Sequence, residues 1–114
     1  MNSETNYPMI IDGLLICKWS REIFQKMHQG GLTTANCTAA MPYANIQDSL
    51  KSAAQFHKWL FEFNDIIRPV GSTDDIWAAY QEKKVGIILG WQNTSGYDDY
   101  LPYIRLFRKL VLSI

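Results

Sequence analysis

Three amides and one carboxylate stand in or just after segments that resemble strands of a parallel sheet. They are Asp12, Asn36, Gln92 and Asn93. Ligands of parallel α/β proteins bind at the carboxyl ends of the strands. Asn36, Gln92 and Asn93 are therefore predicted to orient a polar substrate, such as the carboxylate or amide of a small peptide. Asn side chains also satisfy backbone groups in such loops, and this alternative stays open.

Asp12 lies inside the apolar run Met9–Ile16. Burial of a carboxylate is costly unless it is paired, so Asp12 needs a partner. Lys18 or the backbone amides of a neighbouring loop are structural possibilities. A role in substrate binding is equally open.

The histidines and cysteines form no recognisable catalytic or metal-binding pattern. The sequence contains His28, His57, Cys17 and Cys37, without a His-x-His, His-Glu-x-x-His or Cys-x-x-Cys motif. His28 fits the end of a helix, where the helix dipole favours an imidazolium, and His57 fits a hydrogen-bonded position at a core boundary. Cys37 is expected to be a buried, inert thiol. No catalytic residue is assigned.

The composition limits the classes of partner. The 114 residues include 11 basic and 11 acidic side chains and no basic run, which argues against nucleic acid and anionic membranes. The apolar runs are too short for a membrane span, and the polar segment Met1–Pro8 does not resemble a secretory signal. We expect a cytoplasmic protein with reduced thiols.

Apolar runs predict the strands. Met9–Ile16 and Val85–Trp91 are typical of strands buried on both faces, and Leu32–Thr38 is a third candidate. Asp65–Val70 is either a short edge strand or an extended connection, because Pro69 disfavours a central position. A further strand is expected to begin at Val111.

Helices are predicted between these strands. The candidates are Ser20–Gln29 and Asn45–Phe63, a helix opening at Ser72 and closing near Lys84, and Asp98–Leu110. Ser20 and Asn45 suit helix N-caps, and Ser72 with Asp75 is a weak capping-box analogue. The alternation indicates an α/β fold with about three or four βα units. Periodicity alone does not separate an open, doubly wound sheet from a barrel.

Five segments, in this order and spacing, resemble the N-terminal third to half of the membrane (renal) dipeptidase family of zinc metallopeptidases. They are Ile11-Asp12-Gly13-Leu14, Gly30-Gly31-Leu32-Thr33, Asn36-Cys37-Thr38, Asp74-Asp75-Ile76 and the run from Gly86 to Ser95. The resemblance implies a partial (β/α)₈ TIM barrel over residues 9–114, preceded by a disordered tail over residues 1–8. It further implies a hydrolase that cleaves dipeptides (proteolysis) with a pair of zinc ions.

The sequence departs from that family at the metal-binding positions. The family's Asp-Gly-His-x-Asp motif falls on Asp12 to Ile16, so Leu14 and Ile16 replace two ligands, and Gln92 replaces the bridging glutamate. Aliphatic side chains offer no lone pair to a cation, and a neutral amide is a poor bridge between two divalent metals. The chain is therefore expected to be a truncated, inactive fragment that binds no zinc and self-associates through exposed sheet edges. A non-catalytic α/β module that binds a ligand or partner is the alternative.

Overall fold

The protein is described by a computed structural model, which covers residues 7–40, 45–91 and 100–112. Within these ranges, strands and helices alternate along the chain. In chain order they are β1 (Ile11–Leu15), α1 (Arg21–Gln29), β2 (Thr34–Ala40), α2 (Ile46–Glu62), β3 (Ile67–Pro69), α3 (Thr73–Glu82), β4 (Val85–Trp91) and α4 (Pro102–Leu112). The predicted α/β fold is confirmed.

The described strands form one parallel sheet in the order β1-β2-β4-β3. The three longer strands, β1, β2 and β4, lie side by side in the order in which they occur in the chain, as the strands of a barrel do. The short β3 pairs with the outer side of β4. Proline cannot donate a backbone hydrogen bond to a further strand, which suits Pro69 to an edge. Of the two alternatives for this segment, a short edge strand or an extended connection, the structure shows the edge strand.

One face of the sheet carries the main apolar core. Alternate residues of β2, including Ala35 and Cys37, point to this face and are fully buried. Helices α1 and α2 cover it, and their buried side chains join those of β4. This core contains Phe24, Ala35, Cys37, Ala39, Ala53, Phe56, Leu60, Ile66, Ile67, Val85, Ile87 and Leu89.

Helix α3 packs on the opposite face. A Cβ atom built on Gly86 would lie 3.4 Å from the Cβ of Ala79 in α3. Arg68 of β3, which is in register with Gly86, forms ion pairs with Asp75 and Glu82 of the same helix. The connection from β3 to β4 runs back toward β2. A right-handed crossover in that direction places its helix on the other face.

The predicted N-caps of the first two helices are confirmed. The Ser20 hydroxyl accepts a hydrogen bond from the backbone N–H of Ile23 at 3.4 Å. The Asn45 side chain accepts one from the backbone N–H of Asp48 at 2.9 Å. Each cap satisfies a donor that the first turn of a helix leaves free.

The predicted capping box at the start of α3 is wrong. Ser72 occupies the N-cap position but makes no side-chain capping hydrogen bond. Asp75 instead accepts from the backbone N–H of Gly71 at 2.9 Å and pairs with Arg68 at 3.4 Å. The charged partner on β3 explains why the carboxylate turns away from the cap.

Two predictions about the ends of the described chain are corrected. β1 lies at the edge of the sheet that the described strands form, and Ile11 and Leu14 are 50% and 49% exposed, so it is not buried on both faces. Val111 and Leu112 continue α4, so a strand does not begin at Val111. Residues 113–114 lie outside the described residues. Helices commonly end at a glycine or asparagine. Neither residue occurs at this point of the sequence, and the helix continues through Val111.

Tyr7 falls within the segment predicted to be a disordered tail, and it is packed. Its ring lies 4.7 Å from that of Tyr80, centroid to centroid, and each tyrosine hydroxyl bonds to the other residue's carbonyl oxygen. Residues 1–6 lie outside the described residues, so the prediction for them stays untested. Across the described ranges, none of the helices has both the length and the apolar character to cross a membrane.

We propose that the outer edge of β1 mediates self-association. Ile10, Ile11, Leu14 and Ile16 are exposed along this edge, and no described strand pairs with it. Such edges recruit further strands. We expect concentration-dependent oligomers in sedimentation velocity experiments, and Ile11→Lys should shift the protein toward monomer.

Phe61→Lys is the matched control, because Phe61 is 81% exposed on α2 and does not belong to the edge. It should leave the oligomer distribution unchanged. A wild-type protein that is monomeric at every concentration tested would contradict the proposal.

Candidate functional site

A column of polar side chains runs along β2 on the face opposite Cys37. Thr34, Asn36 and Thr38 alternate with the core residues, and Thr34 and Thr38 are almost completely buried. The two hydroxyl oxygens and Asn36 Oδ1 have no hydrogen-bond partner among the described residues. Buried oxygens of this kind are normally satisfied by protein, water or ligand, so the column can accept hydrogen bonds from a polar group.

Glycines on β4 provide the space for this column. A Cβ atom on Gly86 would lie 2.6 Å from Thr34 Oγ1, and one on Gly90 would collide with Asn36 Oδ1. The two glycines therefore allow the side chains of β2 to approach the backbone of β4 closely. Asn36 is held over the carboxyl end of β4, where ligands of parallel α/β proteins bind.

Asp12 lies on the other face of the sheet from Asn36. Its register partner on β2 is Ala35, and the partner of Leu15 is Cys37, so β1 contains an irregularity between Asp12 and Leu15. Asp12 Oδ1 accepts a hydrogen bond from the backbone N–H of Leu14 at 3.0 Å, within this irregularity. The carboxylate thus has a backbone partner, and the sheet separates it from the polar column.

Gln92 and Asn93, the other two predicted substrate-binding residues, lie outside the described residues. They follow β4, which ends at Trp91. Their assignment stays a prediction.

The positions that match the metal ligands of the resembled family do not fit a zinc pair. Leu14 and Ile16 are 49% and 42% exposed, and they carry no donor atom. Within residues 7–40, 45–91 and 100–112, no cluster of three or more His, Cys, Asp or Glu side chains could hold a metal ion. Zinc binds through nitrogen, sulfur or carboxylate oxygen, which these aliphatic positions lack.

The two thiols differ in their surroundings. Burial raises the pKa of the Cys37 thiol to about 12, with smaller contributions from Cys17 and Asp12. Burial also raises the pKa of the less buried Cys17. The thiolate is the reactive form, so neither environment activates a nucleophile.

We expect iodoacetamide to modify Cys17 slowly in the folded protein at mildly alkaline pH. Cys37 should react only after unfolding, because it is fully buried and its pKa is raised to about 12. Because burial raises the pKa of Cys17, its alkylation rate should still be increasing at pH values above the pKa of an ordinary thiol. Mass spectrometry of the native protein would locate the adduct.

Cys17→Ser should abolish modification of the folded chain. Rapid labelling of Cys37 without denaturant would contradict the buried position of that thiol.

An aromatic cleft lies beside the carboxyl ends of β1 and β2, on the helix-covered face. Its volume is about 220 Å³, and it is lined by Cys17, Trp19, Thr38, Ala39, Ser52, Gln55, Phe56 and Trp59. The Trp19 indole donates from Nε1 to the carbonyl oxygen of Thr38 at 3.2 Å, which fixes the ring at the end of β2. Neither Trp19 nor Trp59 is among the predicted site residues. The position of Trp19, in the loop between β1 and α1, was the available signal.

A second cavity, of about 280 Å³, lies at the opposite end of the strands. Tyr7, His28, Thr33, Tyr80 and Lys83 are among its lining residues. His28 is 2.7 Å from the carbonyl oxygen of Lys83, to which Nε2 donates a hydrogen bond. This bond gives His28 a structural partner. The cavity is at the amino ends of the strands, away from the edge where parallel α/β proteins bind ligands.

No protein-family model matches the sequence, and no curated protein is significantly similar to it. A solved structure is similar. It is the crystal structure of an amidohydrolase from Pseudomonas aeruginosa, which is 38% identical with a TM-score of 0.86. The alignment covers 91% of this chain and 32% of that protein.

The shared architecture is the parallel sheet with alternating helices that carries the polar column and the cleft. Because the chain spans about a third of the length of the amidohydrolase, the comparison does not extend to a whole enzyme. The chain is similar in sequence and in structure, over nearly all of its length, to one part of an amidohydrolase.

Proposed function

We propose that the chain is part of a hydrolase that acts on amide bonds of small substrates such as dipeptides. The observation that carries the proposal is the similarity to an amidohydrolase, at 38% identity and a TM-score of 0.86 over 91% of this chain. The finer assignment to dipeptides follows the membrane dipeptidase resemblance. A partial TIM barrel is consistent with the parallel sheet, and a cytoplasmic location remains part of the proposal.

Within such a hydrolase, this chain would bind and orient the substrate through the polar column of β2. Asn36 Oδ1 and Thr38 Oγ1 are buried acceptors without partners among the described residues. A substrate N–H group that reached them would satisfy an otherwise costly buried group. Gln92 and Asn93, which follow β4 in the sequence, are proposed to complete the polar contacts.

The chain by itself is proposed to be inactive. The two positions on and after β1 that correspond to metal ligands in the resembled family are Leu14 and Ile16, and neither side chain can donate a lone pair. Metal-assisted hydrolysis depends on a metal that activates water. The residues described therefore account for binding and orientation of a substrate, and no hydrolytic step is assigned to them.

The test measures binding and turnover separately. Titration of the purified protein with a dipeptide, followed by NMR of the backbone amides, should shift the signals of Asn36 and Thr38. Asn36→Ala should weaken dipeptide binding by about ten-fold, the value of one charge-neutral hydrogen bond in a buried site. Asn64→Ala, an exposed asparagine after α2, is the matched control and should bind as the wild type does.

Release of amino acids from dipeptides should be undetectable with or without added zinc. Absence of dipeptide binding would contradict the proposed function. Hydrolysis accompanied by tightly held zinc would contradict the inactive state of the chain.

The alternative is a non-catalytic module that binds a ligand or partner. The aliphatic character of Leu14 and Ile16 favours it, because the polar column and the cleft do not depend on these two positions. Such a module would bind other amides or peptides as well as it binds dipeptides. A titration series that compares dipeptides with longer peptides separates the two functions.

A further inference from the structure

The aromatic cleft has features of a binding site rather than of a packing defect. Phe56 is buried at its base, whereas Trp19 and Trp59 are only partly buried although they pack against the main core. The Phe56 and Trp59 rings are 5.2 Å apart at 81°, and Trp19 meets Phe56 at 5.6 Å and 65°. These are the edge-to-face geometries that aromatic rings prefer, so the three rings pack favourably against one another.

The size of the cleft selects a single ring. Its volume is about 220 Å³, and apolar cavities of about 150 Å³ are known to bind benzene. Drug-sized ligands need larger pockets. The cleft is therefore suited to one aromatic side chain, whose ring can stack or pack edge-on against Trp19, Phe56 and Trp59.

Polar groups at the cleft suit an amide attached to that ring. Ser52 and Gln55 come from α2, and Cys17 comes from the loop after β1. A hydroxyl and a carboxamide can both donate and accept, so they match the carbonyl and N–H groups of a peptide backbone. Thr38 contributes its backbone to the end of the cleft, where its carbonyl oxygen accepts from Trp19 Nε1, whereas its hydroxyl belongs to the polar column on the other face of the sheet.

We propose that this cleft binds the aromatic side chain of an amide substrate. The inference rests on the proposed function, and it names the substrate class as amides of aromatic amino acids. The ring would occupy the space between Trp19, Phe56 and Trp59. The amide backbone of the substrate would extend over Ser52 and Gln55 toward the carboxyl end of β2.

The test compares two ligands that differ only in the ring. N-acetyl-L-phenylalaninamide should bind about ten-fold more tightly than N-acetyl-L-alaninamide, because the ring buries additional apolar area. In NMR spectra of the ¹⁵N-labelled protein, the indole N–H signals of Trp19 and Trp59 should shift. The signal of Trp77, which is 53% exposed on α3, is the internal control and should not shift.

Ser52→Phe should fill the cleft and weaken binding of the phenylalanine amide by about ten-fold. Lys51→Phe adds the same ring at an exposed neighbouring position of α2 that does not line the cleft, and it should bind as the wild type does. Protection of Cys17 in the wild type provides a readout that needs no variant, because a bound ligand should slow its alkylation.

Equal affinities for the two amides would overturn the proposal, as would unmoved Trp19 and Trp59 signals at saturation. Wild-type binding by a folded Ser52→Phe variant would also overturn it. Asn36→Ala distinguishes the two proposals, since it should impair dipeptide binding and leave the indole shifts intact. Indole shifts without any dipeptide binding would retain the aromatic site and contradict the proposed function.

Discussion

Replacement of Phe24 by alanine should lower the free energy of unfolding by about 3–5 kcal/mol, the usual cost of removing a buried aromatic ring. Phe24 is fully buried on α1. Its ring lies between 5.6 and 6.4 Å, centroid to centroid, from four other aromatic rings: those of Trp19, Phe56, Trp59 and Phe63. The loss is a large share of the roughly 5–15 kcal/mol by which a domain is typically stable. The variant is therefore expected to unfold at a much lower urea concentration than the wild type.

Phe61→Ala is the matched control, because it removes the same side chain from α2, where Phe61 is 81% exposed. Its unfolding free energy should change by less than about 0.5 kcal/mol. Urea denaturation followed by far-UV circular dichroism measures both variants. Similar losses in the two variants would show that the ring cluster around Phe24 is not the centre of the core.

Gly86→Val should destabilise the protein by about 3 kcal/mol, the upper range for overpacking a buried site. A Cβ atom at this position would lie 2.6 Å from both Thr34 Oγ1 and Val70 Cγ2, and 3.4 Å from the Cβ of Ala79. Valine is otherwise favoured in strands, so the loss can be attributed to the collision. The sheet and α3 would have to separate to accommodate the side chain.

Gly13→Val is the control for this substitution. Gly13 lies in β1, and apart from Gly13 and its two chain neighbours no described residue has a heavy atom within 4 Å of the position of an added Cβ. Its unfolding free energy should stay within about 0.5 kcal/mol of the wild type. Thermal unfolding at low protein concentration measures both variants without interference from self-association. A stable Gly86→Val protein would contradict the packing of α3 against this face.

The two substitutions probe opposite faces of the same sheet. Phe24 reports on the helix-covered face, which also carries the aromatic cleft. Gly86 reports on the face of the polar column, because its missing side chain leaves room for Thr34. Loss of stability in both variants would show that both faces are packed as described, which is a condition for either proposed binding region.

Local signals in the sequence were sufficient to predict most of the helices and strands. Ser20 and Asn45 cap helices because their side chains reach backbone donors three residues ahead, an interaction that depends only on neighbouring residues. The run Val85–Trp91 is a strand with the predicted bounds. Pro69 is in an edge strand, since its missing donor is a property of the residue itself.

Predictions that depended on distant partners were less successful. The apolar run of β1 resembled a strand covered on both faces, but apolar character does not reveal whether a neighbouring strand is present. Asp75 suited a helix cap, yet Arg68 on another element draws its carboxylate away. The aromatic cleft was not predicted, because its walls come from the loop after β1 and from α2.

The sequence by itself determined the order of strands and helices, the caps of α1 and α2, and the absence of donor atoms at Leu14 and Ile16. These properties follow from residue types and from contacts a few positions apart. Tertiary structure alone decided that Asn36 and Asp12 lie on opposite faces and that Trp19 and Trp59 share one cleft. Strand register and helix placement fix which side chains meet, and both depend on the packing of segments that are far apart in the chain.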